Sequence, residues 1–144
     1  MEIVKITEIN IGDAGKIHSE SWKESHRSFC SEEFVARHTE EAQTEYIRSE
    51  IAKGKDFYML IDHIPVGIVS VCGSLIENLY VLPTEQRKGY GAMLLQYVLK
   101  QCHGIPSLWI LSNNDRALTH FIISMVLLKA AERSSSEMIF LKSS

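Results

Sequence analysis

The sequence predicts one α/β domain over residues 1–144, a mixed sheet flanked by helices. Three observations predict it. Three strand-forming runs between Phe57 and Val81 are separated only by short turns. An amphipathic stretch, Gly89–Cys102, lies between two apolar strand candidates. The N-terminal third reads as helices opened by Ser, Thr and Glu. A chain of 144 residues suits a single domain, and 45% hydrophobic with 23% charged residues is the composition of a packed core under a solvated surface.

Met1–Ile9 alternates loosely and reads as a first strand. Asp13–His26 reads as a helix with Ala14, Ile17 and Trp22 turned inward. Ser31 is an N-cap candidate ahead of Glu32 and Glu33, and Thr39 repeats that chemistry ahead of Glu40 and Glu41. The second of these helices carries Tyr46, Ile47 and Ile51 and ends at Lys53-Gly54-Lys55. Phe57–Ile61, Val66–Cys72 and Leu75–Val81 are strands, with turns at Asp62–Pro65 and Gly73-Ser74, so an antiparallel meander is expected. Pro83 stops the third strand. The Gly89–Cys102 helix presents Met93, Leu94, Tyr97, Val98 and Gln101, widened by Leu95 and Leu99. It is long enough to cross over to a parallel strand at Ser107–Leu111. Asn114 or Asp115 caps a further helix to about Leu128, and Glu137–Lys142 is the last strand.

Bulk chemistry excludes several functions. A net charge of −3 argues against a nucleic-acid partner. The longest apolar run, near Phe121–Leu128, is interrupted by Ser124 and far shorter than a membrane span. No basic-then-apolar leader is visible. Cys30, Cys72 and Cys102 are scattered and odd in number, without metal-ligand spacing, so reduced thiols in a cytoplasmic protein and no metal are expected.

The chemistry concentrates where Leu75–Val81 runs into Gln86-Arg87-Lys88-Gly89-Tyr90-Gly91-Ala92 and then a helix. A helix N-terminus offers unpaired amides and partial positive charge, the glycines allow close backbone approach, and Arg87 and Lys88 add cations; this suits a pyrophosphate. Two glycines alone are equally consistent with a softened turn. The loop is neither a GxxxxGK[ST] nor a GxGxxG site, since position 94 is Leu94.

The stretch Val81–Leu95, with Val81-x-Pro83 and Gln86-x-x-Gly89-x-Gly91, resembles the core motif of the GNAT superfamily of N-acetyltransferases. Leu108–Ala117, with Asn114-x-x-Ala117, resembles that family's next strand and helix entry. The resemblance implies an antiparallel meander followed by two splayed parallel strands with acetyl-CoA in the gap. It implies pantetheine on the backbone of Leu79, Tyr80 and Val81, pyrophosphate on Gln86–Ala92, and Asn114 bonded to the pantetheine arm. Asn114 as a plain N-cap is compatible with that. The implied activity is direct attack of a primary amine on the thioester, with strand amides stabilising the oxyanion. Glu77, expected to share a face with Leu79 and Val81, is the candidate base; a solvated edge carboxylate is the alternative. Tyr80 is a weaker catalytic candidate. Asn114 places Phe121 where the family often has a tyrosine that protonates the leaving sulfur, and His120 and Ser124 are substitutes for it. Met125-Val126 replaces the usual glycine–aromatic pair. A catalytically weakened acyl-CoA-binding module is therefore the competing reading. A nucleotide-binding regulatory domain would explain the glycines but neither Val81-x-Pro83 nor Asn114-x-x-Ala117.

The acceptor wall in such proteins comes from the first helices, here with Trp22, His26 and Phe29 as candidates. Residues 20–50 hold eight acids against four Lys or Arg, which suits a cationic small-molecule or peptide amine; solvated helix faces are the plainer alternative. A monomer or homodimer is expected.

Overall fold

A computed structural model describes residues 1–27, 30–101, 107–110 and 140–143. The described elements are strand β1 (Glu2–Lys5), helices α1 (Ile11–His26), α2 (Glu32–Ala36) and α3 (Glu40–Ala52), strands β2 (Asp56–Asp62), β3 (Ile64–Cys72) and β4 (Leu75–Val81), helix α4 (Tyr90–Gln101), and strands β5 (Ser107–Ile110) and β6 (Phe140–Ser143). They form one sheet in the order β1-β2-β3-β4-β5-β6.

The expected meander is present: β2 pairs antiparallel with β3, and β3 with β4. Left-handed residues make its turns, His63 at φ 66° and Gly73 at φ 62°. β1 pairs antiparallel with β2 but is four residues long, shorter than the Met1–Ile9 expectation. Asn10 cuts it short: its Oδ1 accepts from the Thr7 amide at 2.8 Å and its Nδ2 donates to the Lys5 carbonyl at 3.2 Å, closing a side-chain turn before α1. Beyond α4, β4 registers in parallel with β5 at Leu75–Ser107 and Ile76–Leu108.

The caps read from sequence act as caps. Ser31 Oγ accepts from the Phe34 amide at 3.2 Å, and Thr39 Oγ1 accepts from the Ala42 amide at 3.1 Å. Gly54 follows α3 at φ 102°.

Both faces of the sheet are covered. On one, Leu94, Leu95, Val98 and Leu99 of α4 pack on Tyr58, Leu60, Val66, Val69, Val71 and Ile76. On the other, Ile11, Ala14 and Ile17 of α1 and Ile47 of α3 pack on Phe57, Met59 and Ile68. Strand β2 is therefore buried at four consecutive positions instead of alternating. Gly67 lets α4 sit close to β3: a Cβ there would lie 2.8 Å from Leu94 Cδ1 and 3.0 Å from the Tyr80 carbonyl oxygen. That approach fixes the N-terminal half of α4 against the end of β4, where the loop begins. Trp22, expected to face inward, is only half-buried, its ring stacked between His26 at 3.8 Å and His38 at 3.4 Å. The expected helix after Asn114 lies outside the described residues.

Candidate active site

Strand β4 is irregular at its centre. Val81 and Tyr80 register with Gly67 and Ile68, whereas Glu77 and Ile76 register with Ser70 and Val71. Asn78 and Leu79 thus oppose Val69 alone, which is a β-bulge, and Asn78 is left-handed at φ 50°. The extra residue changes which side chains share a face. Tyr80 joins the α1 side, packing with Ile17 and Ile68, while Leu79 packs on the α4 side. Glu77 is opposite Ser70, and Ser70 shares a face with Ile68. Glu77 therefore lies on the Tyr80 face and not, as a regular strand would have it, with Leu79 and Val81.

Glu77 is half-buried and paired. Lys55 Nζ lies 3.1 Å from Glu77 Oε1 and 2.6 Å from Glu50 Oε2. Burial pulls the Lys55 ammonium down, but hydrogen bonds to Glu50 and Glu77 outweigh it and its pKa is raised. The hydrogen bond from Lys55 holds the Glu50 carboxyl below its ordinary value. Among the described residues only Oε1 of Glu77 is engaged.

The loop after β4 turns through two left-handed residues, Arg87 at φ 67° and Gly89 at φ 86°. The glycine takes that conformation freely; the arginine does so against an intrinsic cost of about 1–2 kcal/mol. Together they bring the chain into α4 at Tyr90. The first-turn amides there have no intrahelical acceptor. Among the described residues a Cβ at Gly89 would meet nothing within 4 Å, and one at Gly91 only Val81 Cγ2 at 3.8 Å, so these residues leave space open beside both. Gln86 Nε2 donates to the Val81 carbonyl at 3.2 Å, tying the loop to the strand end. Ser21 Oγ of α1 donates to that same carbonyl at 3.1 Å. Lys88 pairs with Glu85 at 2.7 Å, whereas Arg87 is exposed and pairs with no carboxylate among the described residues. Tyr90 closes the other side: its hydroxyl donates to Asp62 Oδ2 at 2.6 Å, and that bond pushes the phenol up to about 12. Ala92 is half-buried two residues on.

Sequence reasoning missed the polar group on the α1 side of β4. His18, Tyr46 and Ser70 surround the Asn78 side chain. Burial pushes His18 down to about 4, and burial pushes the adjacent Tyr80 up to about 12. The one available signal was a histidine a single step from Ile17, on the face of α1 that carries Ala14. His26 is lowered by burial, and its Nδ1–H donates to the Trp22 carbonyl at 2.8 Å. Phe29, Asn114, His120, Phe121, Ser124 and the Met125-Val126 pair lie outside the described residues.

The acidic excess of residues 20–50 is balanced in part. Glu24, Glu33, Glu45 and Glu50 sit in ion pairs with Arg27, Arg37, Arg48 and Lys55. Glu32, Glu40 and Glu41 occupy first turns of helices. This pattern fits solvated helix faces.

A family model for the acetyltransferase (GNAT) domain matches residues 17–121. No curated protein matches the sequence. Among solved structures, a PaiA N-acetyltransferase from Thermoplasma acidophilum, in complex with coenzyme A, is similar over 85% of this chain and 87% of its own, with TM-score 0.61 and 20% identity. A GCN5-related N-acetyltransferase from Rhodopseudomonas palustris is similar over 85% and 79%, with TM-score 0.68 and 19% identity. A transcriptional regulator from Bacillus halodurans covers 95% of each chain, with TM-score 0.60 and 14% identity.

Proposed function

The chain belongs to the acetyltransferase (GNAT) domain family, and from that membership we propose that it transfers an acetyl group from acetyl-CoA to a primary amine. One observation carries the reading. The left-handed Arg87 and Gly89 turn the chain into the start of α4, directly beyond the end of β4, where first-turn amides have no intrahelical acceptor. That cradle suits the pyrophosphate of CoA. Space lies open beside Gly89 and Gly91, amides are free to donate, and the Arg87 guanidinium is available. The solved structure of the Thermoplasma relative, which holds coenzyme A, is consistent with it.

In this reading β4 and β5 splay beyond Ile76, the last β4 residue registered with β5, and the acyl chain enters the gap. Acetyl-CoA supplies the activated carbonyl and a thiolate leaving group. The Val81 carbonyl is already the acceptor for Gln86 and Ser21, and Tyr80 is in register with Ile68 of β3, so the Leu79 backbone and the Val81 N–H are left to pair with the pantetheine arm. The bulge takes Asn78 and Leu79 out of the ladder with β3, and an amide released there donates to the acyl oxygen. Asn114 is proposed as a further partner of the arm. Glu77, acting through its unpaired Oε2, accepts the proton that the ammonium must lose before nitrogen attacks. A nitrogen–carbon bond then replaces the carbon–sulfur bond, and thiolate departs without an obligatory acid because thiols ionise near pH 8.5. Trp22 and His26 stand in the proposed acceptor wall, with Phe29.

The test is acetyl-CoA turnover across spermidine, an aminoglycoside and a lysine-bearing peptide, read as free thiol and as acetylated product. Amine-dependent thiol release matched by product supports transfer. Saturable acetyl-CoA binding with no product from any amine favours a binding module instead.

A further inference from the structure

The polar chain behind the β4 bulge is not used by the proposed reaction, yet it ends at the residue where the strand breaks register. Asn78 sits at φ 50°, a conformation that asparagine tolerates and branched residues resist. Its side chain is held at both ends. His18 Nε2–H donates to Asn78 Oδ1 at 3.3 Å, and the Tyr46 hydroxyl reaches the same oxygen at 3.5 Å. Asn78 Nδ2 donates to Ser70 Oγ at 3.1 Å, and that hydroxyl donates to the Glu77 carbonyl at 3.0 Å. Donors and acceptors thus run in one direction, from α1 through Asn78 and Ser70 to the peptide just before the bulge.

His18 is 4% exposed and Ser70 0%. The imidazole also lies 4.7 Å from the Tyr80 ring and 5.2 Å from that of Tyr46. Its Nδ1 is buried with no hydrogen-bond partner among the described residues, a burden that a leucine or phenylalanine in the same space would not carry. What the imidazole adds over an apolar ring is its single N–H, and that N–H is spent on Asn78. Burial keeps the ring neutral near pH 7, so it acts as a fixed dipolar donor and not as a charge or a base.

We propose that His18 is a positioning residue for acyl transfer: it fixes the Asn78 side chain and thereby the direction of the backbone amide at the β4 bulge. The proposal rests on the reading of β4 as the strand that flanks the thioester. Segments far apart in sequence, α1, α3 and β3, converge on one side chain whose backbone is the irregular point of that strand. Ordinary strand packing requires no such convergence.

The test uses the full chain labelled with ¹⁵N, with CoA and acetyl-CoA as probes. The readout is the Leu79 amide resonance, taken as the difference between its shifts with the two ligands; calorimetry with CoA reports the phosphate loop separately. In the wild type the acetyl group is expected to move the Leu79 resonance. His18→Ala should remove most of that acetyl-dependent shift while leaving the Kd for CoA within about three-fold, because among the described residues His18 makes no hydrogen bond or ring contact with residues 86–92. His18→Gln, which can still donate an amide N–H toward Asn78, should restore part of it, a rescue that mere cavity filling would not give. Should His18→Ala fail to fold, Asn78→Gly decides, since glycine accepts the left-handed conformation without strain but carries no side chain to hold. That variant should stay folded and lose the acetyl-dependent shift. A folded His18→Ala or Asn78→Gly chain with the wild-type Leu79 response overturns the proposal. Wild-type protein that binds neither CoA nor acetyl-CoA overturns the functional reading, and this proposal with it.

Discussion

Replacing Gly91 by alanine separates the loop from the fold. Gly91 is the second residue of α4 and is not left-handed. Among the described residues the added methyl would meet only Val81 Cγ2, at 3.8 Å, an ordinary contact. None of those residues therefore opposes the change, and exchanging glycine for alanine in a helix is worth about 0.5–1 kcal/mol. In a chain of 144 residues that is a rise of roughly 1–3 °C in Tm. The ligand is expected to respond in the opposite sense. The methyl would occupy the open side of the turn whose amides are proposed to face the phosphates. Losing one charge-assisted hydrogen bond costs about 1.5–3 kcal/mol, which is roughly 10- to 150-fold in Kd. Gly89→Ala is the control: at φ 86° it should cost about 1–2 kcal/mol of stability whatever the ligand does. Calorimetry with CoA, beside thermal melting of each variant, reads both quantities. A Gly91→Ala chain that melts higher and binds CoA with wild-type affinity would show that the pyrophosphate does not sit on this turn.

Three further expectations follow from other parts of the fold. Glu77→Gln should lower kcat/KM by about 10²–10⁴-fold, with the loss shrinking as pH rises and free amine becomes abundant, while CoA affinity holds; wild-type kcat/KM from about pH 6 to about pH 9 would leave Glu77 only as a partner of Lys55. His18 has a folded pKa of about 4, below its unfolded value near 6.5, so the unfolded chain binds the extra proton first. The stability this group contributes is complete above about pH 6.5 and drains away toward pH 4, roughly 3 kcal/mol in all; denaturant titrations should show that slope in the wild type and a flatter one in His18→Gln. Gly15→Ala drives a methyl into Thr44 Oγ1 and to 2.9 Å from the Glu40 carbonyl, where α1 crosses α3, and overpacking of this kind typically costs about 1–3 kcal/mol, seen as a fall in Tm.

What could be read from the sequence was local. Ser31 and Thr39 cap because a short side-chain oxygen three residues ahead of an open amide needs no tertiary help. Gly73 and Gly89 announce turns by their backbone freedom, and Pro83 ends the strand by its fixed φ and missing N–H. What could not be read depends on partners from elsewhere. Nothing near Asn78 in the chain says that it will turn left-handed; His18 comes from 60 residues away and Tyr46 from 32. Once it turns, the period of two is broken, and Glu77 moves to the face opposite Leu79. Its role as a base was inferred from a strand assumed to be regular, and its ion pair with Lys55 was equally invisible. Trp22 behaves alike: spacing placed it inward, but His26 and His38 hold it half out of the core.

The Gln86–Ala92 amides are proposed to hold the phosphates of acetyl-CoA, with the acyl end lying along β4. A ¹⁵N–¹H titration of the wild-type chain with acetyl-CoA tests this proposal most directly. Saturable shifts are expected, largest at residues 86–92, with a second group at Leu79 and Tyr80 that is smaller when CoA replaces acetyl-CoA. A saturable response confined to other surfaces, with both groups of resonances unmoved, would contradict it.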